Sequence, residues 1–122
     1  DVASISAAFG NFAELLERFP ESRYAEDATM RMVHLRNILG TNEINIASYY
    51  LRRGAYIAAL NRARNVVENY ERSTSVPEAL VIMAKVYKVL DMNDLSNDTL
   101  RVLELNYPDN PGIREVQRMV VN

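Results

Sequence analysis

The sequence predicts an all-α fold in which helical hairpins stack into a solenoid, with one elongated helix and a C-terminal capping helix. Apolar residues recur every three to four positions through most of the chain, as they do along one face of a helix. The four prolines fall between these periodic segments, where helices end. A helix-ending motif also recurs along the chain, and such repetition is typical of stacked helical repeats.

Composition narrows the possible functions. The 122 residues are 48% hydrophobic and 25% charged, which suits one folded domain over residues 1–122. A net charge of −2 shows no basic bias, so no nucleic-acid partner is expected. The absence of cysteine excludes disulfides and thiolate metal sites. Apolar runs are only a few residues long, so no membrane span is expected.

The first segment, residues 1–20, is predicted to be the second helix of an incomplete repeat. Ala8, Phe12 and Leu15 follow helical spacing, and Pro20 ends the segment because it lacks an amide hydrogen. The repeat frame runs past the first residue here, so we expect the chain to begin within a repeat.

Residues 22–70 are predicted to form an elongated repeat. Equivalent helix ends at Phe19 and Tyr70 are 51 residues apart, whereas those at Tyr70 and Tyr107 are 37 apart. The surplus of 14 residues corresponds to about four helical turns. An apolar stripe with alternating steps of three and four residues runs through the first half: Ala25, Ala28, Met32, Leu35 and Leu39.

Gly40 is the weak point of this repeat, because glycine costs roughly 1 kcal/mol relative to alanine inside a helix. We predict a nearly continuous helix from about Arg23 to Arg53, roughly 45 Å long at 1.5 Å per residue. Two helices that meet at a kink near Gly40 are the alternative.

Two further segments complete the predicted fold. Residues 76–108 form a repeat, preceded by Ser75-Val76-Pro77-Glu78, which has the pattern of a capping box. Residues 110–121 form the capping helix, with Asn110 as its N-cap and Pro111 as its first residue. Its apolar face is predicted to consist of Ile113, Val116 and Val120.

The spacing inside the repeats matches the tetratricopeptide pattern. That pattern places small residues where the two helices of a hairpin approach closely, and an aromatic residue between them. The small residues at these places are Ala47, Ala59, Ala84 and Ser96, and the aromatic ones are Tyr50 and Tyr87. Tyr70 and Tyr107 take packing positions at the hairpin ends.

No catalysis is expected. The single histidine, His34, lies mid-helix without a second histidine at zinc-ligand spacing. The carboxylate pairs Glu26/Asp27 and Asp91/Asp94 have an ordinary explanation, since helix ends attract acidic residues. No catalytic residue, cofactor site or metal ligand is therefore predicted.

The strongest binding signal is a set of arginines around the turn at Gly54: Arg52, Arg53, Arg62 and Arg64. Arginine suits bidentate pairing with a carboxylate across an interface. A solvated face with weak ion pairs is the alternative, and the pattern alone leaves both open. Tyr49 and Tyr56 are less constrained by the repeat, so either is a candidate anchor for a partner.

The stretch from Tyr49 to Arg62, YYLRRGAYIAALNR, resembles the BamD (ComL) family of outer-membrane lipoproteins in the β-barrel assembly machinery of Gram-negative bacteria. That family shows Tyr-Tyr, then Arg-Gly-Ala-aromatic, then Asn-Arg at this spacing. The elongated helix and the motif that begins at Phe19-Pro20 are similar too. The likeness extends from about Ala7 to Tyr107.

The resemblance implies a non-catalytic scaffold at the periplasmic face of the outer membrane, corresponding to the C-terminal half of a BamD protein. It implies docking onto the BamA POTRA domain nearest the barrel, with contacts with other Bam lipoproteins. The family's contact residues fall on Tyr56, Asn61 and Arg62, with Arg53 close by. Arg62 would pair with an acidic residue of BamA. The lipidated cysteine of the family is absent from this sequence.

A free-standing periplasmic tetratricopeptide adaptor, similar to the cell-division coordinator CpoB, is the alternative. Such proteins also show Tyr-Pro-x-Ser-x-Tyr-Ala motifs. They are expected to lack the elongated helix and the Arg-Gly-Ala-aromatic turn, both of which this sequence contains.

Overall fold

The computed structural model describes residues 1–121 as six α-helices joined by short turns, without a strand in that range. The predicted all-α class is confirmed. The helices are α1 (Val2–Arg18), α2 (Ala25–Arg52), α3 (Tyr56–Asn69), α4 (Val76–Val89), α5 (Asn93–Asn106) and α6 (Gly112–Arg118). Each helix packs against the next one in the chain, while α2 also contacts α4, and α4 contacts α6. This order of contacts is that of stacked hairpins.

The elongated helix α2 is continuous across Gly40, as predicted, and its 28 residues span about 42 Å. Its two halves serve different neighbours. Met30 and His34 line a groove with Phe12 of α1, whereas Ile44 in the second half lies in a core shared with α3 and α4. A single long helix thus joins the first hairpin to the second.

Gly40 has a packing role that explains its place inside a helix. The loop between α3 and α4 crosses α2 at this residue. A Cβ atom on Gly40 would lie 2.9 Å from the Ser73 hydroxyl and 3.3 Å from the Ser75 Cβ. The backbone amide of Thr74 also donates to the side-chain oxygen of Asn37, one turn earlier, at 3.0 Å. The glycine therefore forms a notch in which the loop rests.

We expect Gly40→Ala to leave stability unchanged or lower it by up to about 1 kcal/mol, because crowding of the loop offsets the gain in helix propensity. Gly10→Ala in α1 is the matched control. Its new methyl group would meet nothing within 4 Å, so a gain of about 0.5–1 kcal/mol is expected. Urea unfolding of both variants measures the difference. Equal gains would show that the loop does not rest tightly on Gly40.

Small residues hold the hairpins together at the places where the repeat pattern predicts them. Ala47, Ala59 and Ala84 are completely buried, and Ser96 is nearly so. The Ser96 hydroxyl donates to the carbonyl of Ala84 at 2.9 Å, so α4 and α5 approach through this pair. Serine replaces alanine here without leaving a buried hydroxyl unpaired.

Two apolar clusters form the core. The first joins α2, α3 and α4 and contains Ile44, Ala47, Ala59, Leu60, Ala63, Val66, Ala79, Ile82, Val86 and Tyr87. The second joins α4 to α5 and α6 and contains Leu80, Val81, Ala84, Leu100, Leu103, Ile113 and Val116. Helix α1 has half-buried apolar residues but no fully buried one. The core therefore lies between α2 and α6.

The tyrosines assigned to packing do pack. Tyr87 is buried in the first cluster, and Tyr50 lies against it. Tyr107 lies against the second cluster, while Tyr70 meets the ring of Phe9 edge-on with the centroids 6.1 Å apart. None of these four rings is therefore free to act as an exposed anchor.

The predicted capping box before α4 is wrong. Ser75 is the N-cap residue, but its side chain makes no capping hydrogen bond, and its backbone is helical (φ −87°, ψ −8°) rather than extended. A side-chain cap normally requires an extended N-cap residue. The Ser75 side chain packs against Gly40 instead, so the crossing with α2 takes precedence over the cap.

The capping helix forms, but it is shorter than predicted. Ile113 and Val116 are buried, whereas Val120 is 86% exposed because the helix ends at Arg118 and Met119 is extended. Val120 was thus wrongly placed on the apolar face. Helix α6 begins at Gly112, one residue later than expected, yet the Asn110 side chain still accepts from the Gly112 amide at 2.8 Å. None of these helices, over residues 1–121, is both long enough and apolar enough to cross a membrane.

Candidate protein-binding site

The candidate site surrounds the turn between α2 and α3. Gly54 has a positive φ of 75°, a conformation that glycine adopts without strain. The amides of Arg53 and Ala55 both donate to the carbonyl of Tyr50, at 3.1 and 3.0 Å, which closes the turn tightly. The sequence Arg-Gly-Ala therefore fixes where α2 ends and α3 begins.

Arg53 lies on the outer side of this turn. Its guanidinium carbon is 4.4 Å from the centre of the Tyr49 ring, a cation–π distance. Tyr49 is 46% exposed and meets the Tyr50 ring edge-on at 5.7 Å. Because Tyr50 packs against the core, the exposed pair of Tyr49 and Arg53 rests on a rigid base.

Tyr56, the first residue of α3, is half-buried rather than freely exposed. It packs against the first core cluster. Its accessible part lines a shallow depression between the turn and the last helices, with Leu51, Lys85, Val89, Glu115 and Met119. Tyr56 thus faces α4 and α6, not the outer side of α3.

Asn61 and Arg62 lie further along α3, and their surroundings differ. Asn61 is exposed. Arg62 reaches back to α2, where its Nη1 donates to Oε1 of Glu43 at 2.9 Å. The Arg62 side chain is 45% exposed, but that of Glu43 is only 9% exposed. The guanidinium therefore contacts both a buried carboxylate and solvent.

Glu43 is held on both oxygens. Its second oxygen, Oε2, accepts from the side-chain amide of Asn65 at 2.9 Å. Asn65 in turn accepts a hydrogen bond from Asn69 one turn further along α3. A polar network of Glu43, Arg62, Asn65 and Asn69 thus joins α2 to α3 beside the apolar core. We call it the Glu43 network.

The four predicted contact residues do not form one contiguous cluster. Arg53 and Tyr56 flank the turn. Tyr56 and Asn61 are five residues apart, so their side chains differ by about 140° around α3. Arg62 follows a further 100° on and faces α2. All four residues lie on the α2–α3 hairpin, but only Asn61 and Arg62 are adjacent in sequence.

The other two arginines take separate roles. Arg64 pairs with Glu68 on the outer surface of α3 at 3.3 Å, with both side chains at least half exposed. Arg52 lines a groove beside α4. For Arg64 the surface-pair alternative is therefore the better description, whereas Arg62 is engaged in a partly buried pair.

His34 lies in an open groove on the surface of the first hairpin. His34 is exposed and lies among apolar and charged residues in the groove between α1 and α2. Among residues 1–121, no group of three or more His, Cys, Asp or Glu side chains converges as metal ligands would.

The profile of the YfiO family, described as an outer membrane lipoprotein, matches residues 1–105. The chain belongs to the YfiO family. Curated relatives carry the name outer membrane protein assembly factor BamD. One from Neisseria meningitidis serogroup B is 50% identical over 91% of this chain, and one from Xylella fastidiosa strain 9a5c is 36% identical over 93%. A third, from Vibrio cholerae, is 38% identical over 87%.

This YfiO-family chain spans about two-fifths of its curated relatives, covering 42% of the Neisseria protein, 39% of the Xylella protein and 44% of the Vibrio protein. The resemblance to BamD drawn from the Tyr49–Arg62 stretch is confirmed. The profile match includes the whole turn, α3 and the Glu43 network.

Sequence reasoning missed three members of the Glu43 network: Glu43, Asn65 and Asn69. A signal for Glu43 existed. It lies four residues after Leu39 and four before Ala47, on the buried stripe of α2. A carboxylate at a core-facing position is rarely buried without a partner, and a partner was available on the next helix. Asn65 and Asn69 had no comparable signal, because asparagine is common on exposed helix faces.

Proposed function

We propose that this chain is a non-catalytic scaffold of the outer-membrane β-barrel assembly machinery, acting at the periplasmic face of the outer membrane. It docks onto a POTRA domain of BamA through the α2–α3 hairpin, using Arg53, Tyr56, Asn61 and Arg62. Membership of the YfiO family and the assembly-factor names of its relatives support the general role. The docking residues rest on the resemblance and on the geometry of the hairpin.

The observation that carries the proposal is the state of Arg62. One nitrogen of its guanidinium is bound to Glu43, and nearly half of the side chain is open to solvent. Arginine has five N–H donors in a planar fork, so the exposed edge retains donors for an acidic group of a partner. Exposed Asn61 adds a neutral donor and acceptor beside it. Such a pair suits a carboxylate and its adjoining backbone.

The rest of the hairpin fits a protein interface better than a small-molecule site. Arginine and tyrosine are enriched at binding hot spots, and Tyr49 with Arg53 supplies such a pair at the turn. Ile57, on the first turn of α3, is 59% exposed and adds apolar area between Arg53 and Asn61 in sequence. These residues lie on packed helices or, for Arg53, in the tight turn that joins two of them, so little conformational entropy is lost on binding.

Arg62→Lys tests the docking. Lysine keeps the positive charge next to Glu43, so the fold is retained, but it lacks the planar fork. We expect calorimetric titration with the periplasmic POTRA region of the cognate BamA to show saturable binding by the wild-type full chain. Arg62→Lys should bind about tenfold more weakly. Arg64→Lys, on the outer surface of α3, is the matched control and should bind like the wild type.

The outcomes separate the parts of the proposal. A wild-type chain that does not bind the POTRA region contradicts the partner. Binding that is equally strong in Arg62→Lys keeps the partner but removes Arg62 from the contact. Weakening by both lysine variants would indicate a general dependence on charge geometry along α3 rather than a defined site.

A further inference from the structure

We infer that Glu43 is a positioning residue for partner binding. In this inference, which rests on the proposed docking, the Arg62 guanidinium binds two carboxylates at once, one from Glu43 and one from the partner. Glu43 does not need to touch the partner for this role. Its side chain is 9% exposed and lies on α2, behind the guanidinium that the partner would meet.

The geometry leaves Glu43 a narrow set of orientations. Its two oxygens accept from two different side chains of α3, Arg62 and Asn65, each at 2.9 Å. Glu43 lies on the stripe of α2 that faces the core, next to buried Ile44. A carboxylate fixed on both oxygens within packed surroundings has little rotational freedom.

Because Glu43 is fixed, its hydrogen bond also limits the orientations of the Arg62 guanidinium. A free arginine side chain samples many rotamers, and ordering one at an interface opposes binding. A guanidinium already tied to a buried carboxylate has lost much of this freedom before the partner arrives. The exposed edge of Arg62 is therefore presented in a defined direction, which is the usual advantage of a preorganised contact.

The negative charge of Glu43 has an effect on docking opposite to that of the ordering of Arg62, and we expect it to be the weaker of the two. Glu43 lowers the positive potential around Arg62, which by itself would reduce attraction to an acidic partner. The partner would meet the solvent-exposed edge of Arg62, however, where water screens part of the field of Glu43, whereas water does not reduce the entropic cost of ordering a long side chain. We therefore expect loss of Glu43 to weaken docking, not to strengthen it.

Glu43→Gln tests this role because it keeps the shape of the side chain but removes its charge. Glutamine also places an amide N–H₂ group opposite one of the two donors that Glu43 now accepts from, Arg62 or Asn65. We expect the affinity for the POTRA region to fall about 2- to 10-fold. The matched control is Glu68→Gln, which removes the exposed carboxylate that pairs with Arg64 and should leave the affinity unchanged.

A double-mutant cycle shows whether Glu43 acts through Arg62. Once Arg62 is alanine, the further change Glu43→Gln should have no effect on affinity, because there is no guanidinium left to position. All four proteins are compared at a temperature at which circular dichroism shows them folded. An affinity for Glu43→Gln equal to the wild type, or the same loss in both backgrounds, overturns the inference.

A second measurement does not depend on the partner. Nitrogen relaxation of the Arg62 side-chain Nε–H group should report a rigid side chain in the wild type and a more mobile one in Glu43→Gln. If the wild type does not bind the POTRA region but this difference is seen, the proposed partner fails and the positioning remains. Equal mobility in both proteins refutes the positioning, whatever the partner.

Discussion

Leu103→Ala is expected to lower the free energy of unfolding by about 3 kcal/mol. Leu103 lies on α5 and is completely buried in the second core cluster, where α4, α5 and α6 meet. Truncation removes the transfer free energy of the leucine side chain and leaves a cavity that the surrounding helices fill only in part. The loss is expected as a lower urea midpoint at an unchanged slope.

Leu105→Ala is the matched control for this prediction. Leu105 lies two residues further along the same helix, but it is 83% exposed. The same change should therefore alter stability by no more than about 0.5 kcal/mol. Similar losses in the two variants would show that α5 does not present the face described here to the core.

The parts of the fold that could be predicted from the sequence are those that depend on local spacing. The periodicity of apolar and small residues predicted the helices, the continuity of α2 and the burial of the small residues in the hairpins. Ala47 and Ala84 occupy positions at which the repeat pattern requires a small side chain, and both are completely buried. The repeat pattern alone was therefore sufficient to predict that these two residues are buried.

Features that depend on a crossing between distant segments were not predictable in this way. Ser75 has the sequence of an N-cap, yet its side chain packs on Gly40, 35 residues earlier. Val120 continues a helical stripe, but α6 ends before reaching it. Gly40 itself appeared as a weak point, whereas the structure shows a notch for the loop between α3 and α4. Local spacing carries no information about that loop.

The candidate site was predictable in part for the same reason. The turn at Gly54 and the arginines around it follow from the sequence, and the resemblance selected Arg53, Tyr56, Asn61 and Arg62. The sequence did not indicate that Arg62 already has a partner, Glu43, 19 residues away on the preceding helix. It also did not show that Tyr56 faces a different side of α3. Both facts depend on how α3 packs against its neighbours.

Arg62→Glu is expected to destabilise the fold by about 2 kcal/mol, before any partner is considered. The change removes the cation that compensates the buried carboxylate of Glu43 and replaces it with a second carboxylate. Removing the exposed partner of a buried carboxylate costs more than the pair contributes, because the carboxylate stays largely out of water without compensation. Urea unfolding of the purified variant measures the loss.

Arg64→Glu provides the comparison, since Arg64 is on the same helix and its pair with Glu68 is exposed on both sides. Its effect on stability should stay below about 1 kcal/mol. Adding Glu43→Gln to Arg62→Glu should restore much of the lost stability, because no buried charge then faces the new carboxylate. Equal losses for the two charge reversals, or no recovery in the double variant, would contradict the partly buried pair of Arg62 and Glu43.

This expected loss changes how charge reversal at Arg62 can be used to study docking. Reversal of an interfacial charge is a common test, but here it would weaken binding and lower the stability of the fold together. Arg62→Lys separates the two effects, because lysine compensates Glu43 and lacks only the fork. If Arg62→Lys keeps its stability but loses affinity, while Arg62→Glu loses both, then Arg62 has two separable roles: counter-ion of Glu43 within the fold and donor to the partner at the surface.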